Sequence, residues 1–125
     1  MTNGYTKVYA RFLKKFLKAS RTLKVVFDSS DGTTGLALQE LFRGVAKINP
    51  VFLNAKPNGN FPAHGPNPWT GGAIKKLGKE VRRHGADFGA IFDGDGDRVF
   101  FVDDLGRSIS GDAAAVLIGA AFKGP

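Results

Sequence analysis

Apolar residues at Tyr5, Val8, Tyr9, Phe12, Leu13, Phe16 and Leu17 recur at three- and four-residue spacing with basic residues on the other side, which predicts an opening amphipathic helix over Tyr5–Ser20. The period then changes. Leu23–Asp28 is a short, nearly continuous apolar run and is expected as a buried strand, and the polar, glycine-bearing stretch Ser29–Gly35 turns the chain into a helix over 34–45. Val51–Asn54 is a second strand candidate. Pro57–Pro68 carries four prolines in twelve residues, which forbids a helix or a central strand there. A helix over Thr70–His84, a strand over Ala86–Phe92, a second over Arg98–Asp103, a turn at Leu105–Arg107 and a helix from the Ser110-Gly111-Asp112 cap to Phe122 complete the pattern.

Helical crossovers between successive strands make those strands parallel, whereas the short loop between the last two makes them antiparallel. The expected architecture is therefore a single α/β domain over residues 1–125. It is a three-layer α/β/α sandwich on a four-stranded mixed sheet whose last strand is antiparallel. The long proline-rich loop lies between well-patterned segments, so it is expected to be functional and not a domain linker.

The most informative chemistry lies between the last two strands, where Asp93, Asp95 and Asp97 alternate with glycines and Arg98 follows at once. Glycine tolerates backbone conformations that let three carboxylates turn toward one point. Without a cation they would repel one another by about 1 kcal/mol per pair at 4 Å in water, and by about 4 kcal/mol at an effective dielectric of 20. Oxygen-only ligands select a hard divalent ion, and few carboxylates with open positions suit Mg²⁺ shared with a phosphate oxygen. An EF-hand loop counted from Asp93 needs glycine sixth and glutamate twelfth, where Arg98 and Asp104 stand, and its flanks should be helices. A solvated hairpin turn needs neither three carboxylates nor an adjoining arginine. The ligands are predicted at the carboxyl end of the third strand, where open α/β sheets bind.

Other features are weaker. Ser29-Ser30-Asp31-Gly32 could form a phosphate-binding nest, but a capped helix start explains it more simply. His64 is expected to pack or hydrogen-bond, and Trp69 to lie in the core or at an interface. The net charge of +7, from 18 basic against 11 acidic residues, admits an anionic partner without choosing one. Its main clusters, Lys14, Lys15, Lys18, Arg21 and Lys24, then Lys75, Lys76, Lys79, Arg82 and Arg83, are expected as solvated helix faces. The second lacks the interleaved aromatics of a single-strand platform, which argues against nucleic acid. The longest mostly apolar stretch, Ala113–Phe122, spans ten residues against the ~20 that cross a bilayer. No membrane association is expected, and the polar start Met1-Thr2-Asn3-Gly4 is not read as a signal peptide. With no cysteine, disulfides and cysteine-ligated zinc are excluded, and a cytoplasmic setting is expected.

Several segments together resemble the second domain of the α-D-phosphohexomutases of the phosphomannomutase/phosphoglucomutase type. They are Phe61-Pro62-Ala63-His64-Gly65-Pro66-Asn67-Pro68, Ala86-Asp87-Phe88-Gly89, Asp93-Gly94-Asp95-Gly96-Asp97-Arg98, Val102-Asp103-Asp104-Leu105-Gly106-Arg107 and Ser110-Gly111-Asp112. The resemblance implies a fold like the one predicted. It also implies an enzyme that moves a phosphoryl group between the 1 and 6 positions of a hexose phosphate, through a phosphoserine and a bisphosphorylated sugar. Asp93, Asp95 and Asp97 would then ligate Mg²⁺, and Arg98 would be catalytic, offsetting charge on the transferring group. The family's serine loop, sugar-selecting loop and distal phosphate site have no counterpart here. The chain is thus expected to be one domain of a longer mutase, inactive alone, with the other domains and a mannose or glucose phosphate as its partners. A stand-alone Mg²⁺-dependent module for phosphorylated ligands, and a basic nucleic-acid-binding domain, are the alternative classes; salt dependence separates the latter.

Overall fold

Leu23–Asp28 (β1) forms the middle of the molecule because its side chains are buried on both faces of a sheet, with Val25, Val26 and Phe27 at 7% exposure or less. The computed structural model describes residues 3–122. Met1 and Thr2 of the polar start, and Lys123–Pro125, lie outside the described residues. Ile48–Leu53 (β2) pairs parallel with one side of β1, matching Val26 to Val51, and Phe88–Phe92 (β3) pairs parallel with the other, matching Phe27 to Ala90. Val99–Asp103 (β4) returns antiparallel to β3, with Ile91 opposite Phe100.

A fifth strand, Ser108–Ile109 (β5), corrects the four-stranded expectation: the sheet order is β2-β1-β3-β4-β5, and β5 runs antiparallel to β4. Two residues are too few to show an alternation, so the strand is invisible to pattern. The turn before it was legible. Gly106, at φ 76°, donates its N–H to Asp103 O, and Asp103 N–H donates to Arg107 O, which reverses the chain instead of merely leading to the next helix. β2 also starts three residues earlier than expected, through Pro50. A proline fits because β2 pairs only with β1 and its other edge is free.

Helices cover both faces. Gly4–Lys14 (α1) and Thr34–Phe42 (α2) lie on one, where Ala10, Leu38 and Leu41 pack against Val25, Phe27 and Ala90. Ala73–His84 (α3) covers the other, placing Leu77 and Val81 on Val26, Ile91 and Val102. Asn3 caps α1 by accepting the Thr6 N–H at 2.9 Å. The helix stops at Lys14, short of Ser20, because the N–H groups of Lys15, Phe16 and Leu17 bond three residues back instead of four. α3 ends in a Schellman pattern, with Gly85 N–H to Arg82 O and Ala86 N–H to Val81 O. Gly111–Ala121 (α4) is capped as expected by Ser110, whose Oγ accepts the Ala113 N–H, but buries no residue. The second basic cluster lies on the exposed side of α3. The first does not form a helix face, since only Lys14 belongs to α1. Among the described residues no helix is long and apolar enough to cross a membrane.

Candidate metal centre

The loop after β3 starts from a buried residue. Asp93 is 3% exposed, while Asp95 and Asp97 face solvent. The turn is tight: Gly96, at φ 76°, donates to Asp93 O at 3.1 Å, and Asp93 N–H reaches Arg98 O at 3.3 Å. Closing the loop this way brings one carboxylate oxygen from each of Asp93, Asp95 and Asp97 within 4.8 Å of one another. Ligand oxygens around an octahedral Mg²⁺ at ~2.1 Å lie about 3 Å apart when adjacent and about 4.2 Å when opposite. The three carboxylates therefore fit a small hard cation after a slight closure.

Arg98 is part of the same turn. Its backbone N–H donates to Asp93 Oδ1 at 3.2 Å and its Nε–H to Asp93 Oδ2 at 2.7 Å, with Asp97 Oδ1 at 3.6 Å from Nε. Burial pushes the Asp93 carboxyl up, but the side-chain and backbone hydrogen bonds from Arg98 outweigh it and hold Asp93 below its ordinary value. Asp97 is pushed up, first by its contact with the Asp93 carboxylate and then by the charge of Asp95. Such opposed shifts within one turn mark a set of crowded acids, the arrangement a divalent ion relieves.

Two further loops support this one. From the β1–α2 turn, Thr33 N–H donates to Gly94 O at 3.3 Å, Gly32 stands against the same carbonyl, and Ser30 Oγ donates to Phe92 O. From the proline-rich loop, Pro66 O accepts the Gly94 N–H at 3.0 Å, and the Phe61 ring lies beside Gly94. Three non-glycine residues of these supports, Ser30 (50°), Asp31 (55°) and Phe61 (46°), and Asn54 (48°) after β2 beside them, have φ in the left-handed region. Each costs on the order of 1–3 kcal/mol and persists only where its surroundings dictate it. The capped-start reading of Ser29–Gly32 fails here. Thr33 is the N-cap of α2 and makes no side-chain cap bond, because the preceding residues are committed to the loops around them.

His64 does hydrogen-bond, through Nε2 to Asp28 Oδ2 at 3.0 Å, with both side chains 3% exposed or less. Trp69 is not in the core; it is 68% exposed, with its ring edge-on to Phe100 at 5.0 Å. A cleft of about 840 Å³ lined by Leu17, Leu23, Val45 and Ile48 lies at the amino ends of β1 and β2, the opposite end of the strands from Asp93. Sequence reasoning missed Asp28 and Asn54, whose only signal was their place at the carboxyl ends of β1 and β2.

Residues 4–106 match the sequence profile of phosphoglucomutase/phosphomannomutase alpha/beta/alpha domain II. The chain belongs to the phosphoglucomutase/phosphomannomutase family. It is 37% identical over 110 residues to a phosphomannomutase of Methanocaldococcus jannaschii, covering 88% of this chain and 24% of that protein. It is 36% identical over 113 residues to a Methanosarcina barkeri protein named "Probable phosphoglucosamine mutase", covering 90% and 25%. A crystal structure of a phosphoglucomutase/phosphomannomutase family protein from Burkholderia thailandensis superposes with a TM-score of 0.83 at 29% identity, over 93% of this chain and 25% of that one. The chain thus spans about a quarter of the length of these family members.

Proposed function

We propose that this domain supplies the divalent-cation loop of a phosphohexomutase that interconverts hexose 1-phosphate and 6-phosphate, with mannose or glucose phosphate as substrate. The observation that carries the reading is the convergence of Asp93, Asp95 and Asp97 within 4.8 Å at the carboxyl end of β3, in a chain of this family. The three carboxylates would hold Mg²⁺, which supplies charge neutralisation to the phosphoryl group being transferred. Asp93 keeps its orientation through Arg98, and its oxygens retain lone pairs beyond the two hydrogen bonds they accept. Arg98 takes two parts. Its Nε fixes Asp93, and its terminal Nη atoms make no hydrogen bond among the described residues, which leaves the outer edge of the guanidinium for a phosphoryl oxygen. The preference for mannose or glucose over glucosamine phosphate rests on the proline-rich loop alone, since the relatives' names divide between phosphomannomutase and probable phosphoglucosamine mutase at similar identity.

The mutase itself is proposed for the full-length protein, with the serine nucleophile on another domain. The 125-residue chain should convert no hexose phosphate and should bind Mg²⁺ weakly, since three carboxylates form only part of a six-coordinate shell. Titrating Mg²⁺ while following backbone amides should move residues 93–98 first. In a full-length protein carrying this domain, Arg98→Lys should lower kcat with little change in melting temperature. Shifts centred elsewhere, or turnover unaffected by both Asp95→Asn and Arg98→Lys, would overturn the reading.

A further inference from the structure

Among the described residues the carboxylates of the aspartate loop hydrogen-bond only within the loop and to Arg98; the loop is seated on two others that are themselves tied to one buried group. Asp28, the last residue of β1, is 2% exposed. Its Oδ1 accepts the Ser30 N–H at 2.8 Å, both oxygens accept from Asn54 Nδ2 at 3.0 Å, and Oδ2 accepts from His64 Nε2 at 3.0 Å. Ser30 belongs to the turn that bears on Phe92 and Gly94. His64 stands two residues before Pro66, whose carbonyl receives the Gly94 N–H. One carboxylate therefore fastens both supports of the loop, one on each side.

We infer that Asp28 and His64 are positioning residues for the Asp93–Asp97 loop, acting through the Pro66 carbonyl and the Ser30 turn. The inference rests on the cation-binding role proposed above, because that role is what gives the position of the loop its value. Two observations separate it from a purely stabilising pair. The remaining ring nitrogen of His64, Nδ1, is buried without a hydrogen-bond partner among the described residues, a cost that an apolar side chain filling the same space would avoid. Such a side chain could not donate to Asp28. The segment His64 holds also contains Phe61 in its left-handed conformation against Gly94, a geometry with no local preference behind it. Ala63 N–H, beside His64, is held separately by Asp31 Oδ2 at 3.0 Å, so the loop stays attached when His64 is changed and only its placement is expected to loosen.

The test compares His64→Ala, His64→Gln, Asp28→Asn and, as a control far from the loop, Val81→Ala in the α3 core. Native-state hydrogen exchange of the Gly94 amide is the deciding readout. It should accelerate by about tenfold or more in His64→Ala and Asp28→Asn, the size set by losing one hydrogen bond to a buried charged group. It should return toward wild type in His64→Gln, whose amide keeps a donor, and stay near wild type in Val81→Ala even where that variant melts lower. Amide shifts of residues 93–98 should follow the same order, and Mg²⁺ affinity should fall by about tenfold in His64→Ala. If His64→Ala does not fold, Asp28→Asn against Val81→Ala decides. A lowered melting temperature with unchanged Gly94 exchange would overturn the inference. Failure of the wild-type loop to bind Mg²⁺ would instead overturn the proposed function, and the exchange result would still judge the positioning claim.

Discussion

Gly32→Ala is the sharpest probe of how the aspartate loop is seated. Gly32 is buried in the β1–α2 turn, and a methyl group added there would lie 2.3 Å from Gly94 O and 2.9 Å from its carbonyl carbon and Cα. The obstacle is backbone and cannot rotate away. Ordinary contact begins near 3.4 Å for such a pair, so one of the two loops must move by about 1 Å. Because Gly32 does not have a left-handed φ, the destabilising part of the substitution is steric. Overpacking of this kind costs about 1–3 kcal/mol, which corresponds to a melting temperature lower by roughly 3–12 °C in a chain of this size. The displaced atom belongs to the residue after Asp93, so Mg²⁺ affinity should fall several-fold at the same time. Urea unfolding and a Mg²⁺ titration measure the two effects. Gly59→Ala is the matched comparison, since a methyl there meets nothing within 4 Å and its φ is not left-handed; it should be neutral or stabilise by about 0.4–1 kcal/mol. If Gly32→Ala and Gly59→Ala behave alike in both assays, the seating described here is wrong.

Asp93→Asn should lower stability by about 1–3 kcal/mol, because it replaces one of the two oxygens that accept from Arg98 with an NH₂ donor and removes the charge paired with the guanidinium, whereas the exposed Asp95→Asn should leave stability within about 0.5 kcal/mol; both should weaken Mg²⁺ binding, measured by the same titration. Asp87 is held below its ordinary value of 3.8 chiefly by Arg21, and Asp103 below the same value chiefly by the Arg107 backbone N–H. A carboxyl depressed on folding adds stability above its unfolded pKa and loses it as pH falls through the folded one. Acid unfolding of wild type and the Asp87→Asn/Asp103→Asn double variant should therefore diverge above about pH 4 and converge below it. Trp69 is the single tryptophan, so its emission should be that of a largely exposed indole, and Phe100→Ala should shift it while costing about 0.5–1.5 kcal/mol from the lost edge-on pair.

The parts of the fold that were legible in the sequence are those in which local and long-range demands coincide. Leu23–Asp28 is expected as a buried strand and is one, and the helix expected over Thr70–His84 forms over Ala73–His84. The aspartate loop was legible for a different reason: its three carboxylates lie within five residues, so their convergence needs only a turn. The group beneath it was not. Asp28, Asn54 and His64 are separated by 26 and 36 residues from Asp28, and nothing in any of the three segments signals the others. The polar residues of Ser29–Gly32 misled for the same reason, since their hydrogen bonds go to Asp28, Asn54 and Phe92 and not to the helix that follows. Residue type leaves Trp69 between the core and an interface, and the structure removes the core from that choice, because the buried proline before it takes that space.

Pro50 has an effect beyond its own strand. A free sheet edge is a template on which a foreign strand can add, and β2 is such an edge, but the missing N–H of Pro50 removes a donor from its middle. At the other edge β5 offers only two residues, too few to nucleate pairing. Both edges of the sheet are thus blunted against strand addition. A body that packs against this domain is left to meet it on helices and loops, and α1 with the turn after it presents an uncovered aromatic and aliphatic row, Tyr5, Val8, Tyr9 and Phe12 on the helix and Phe16 beyond it, all more than half exposed.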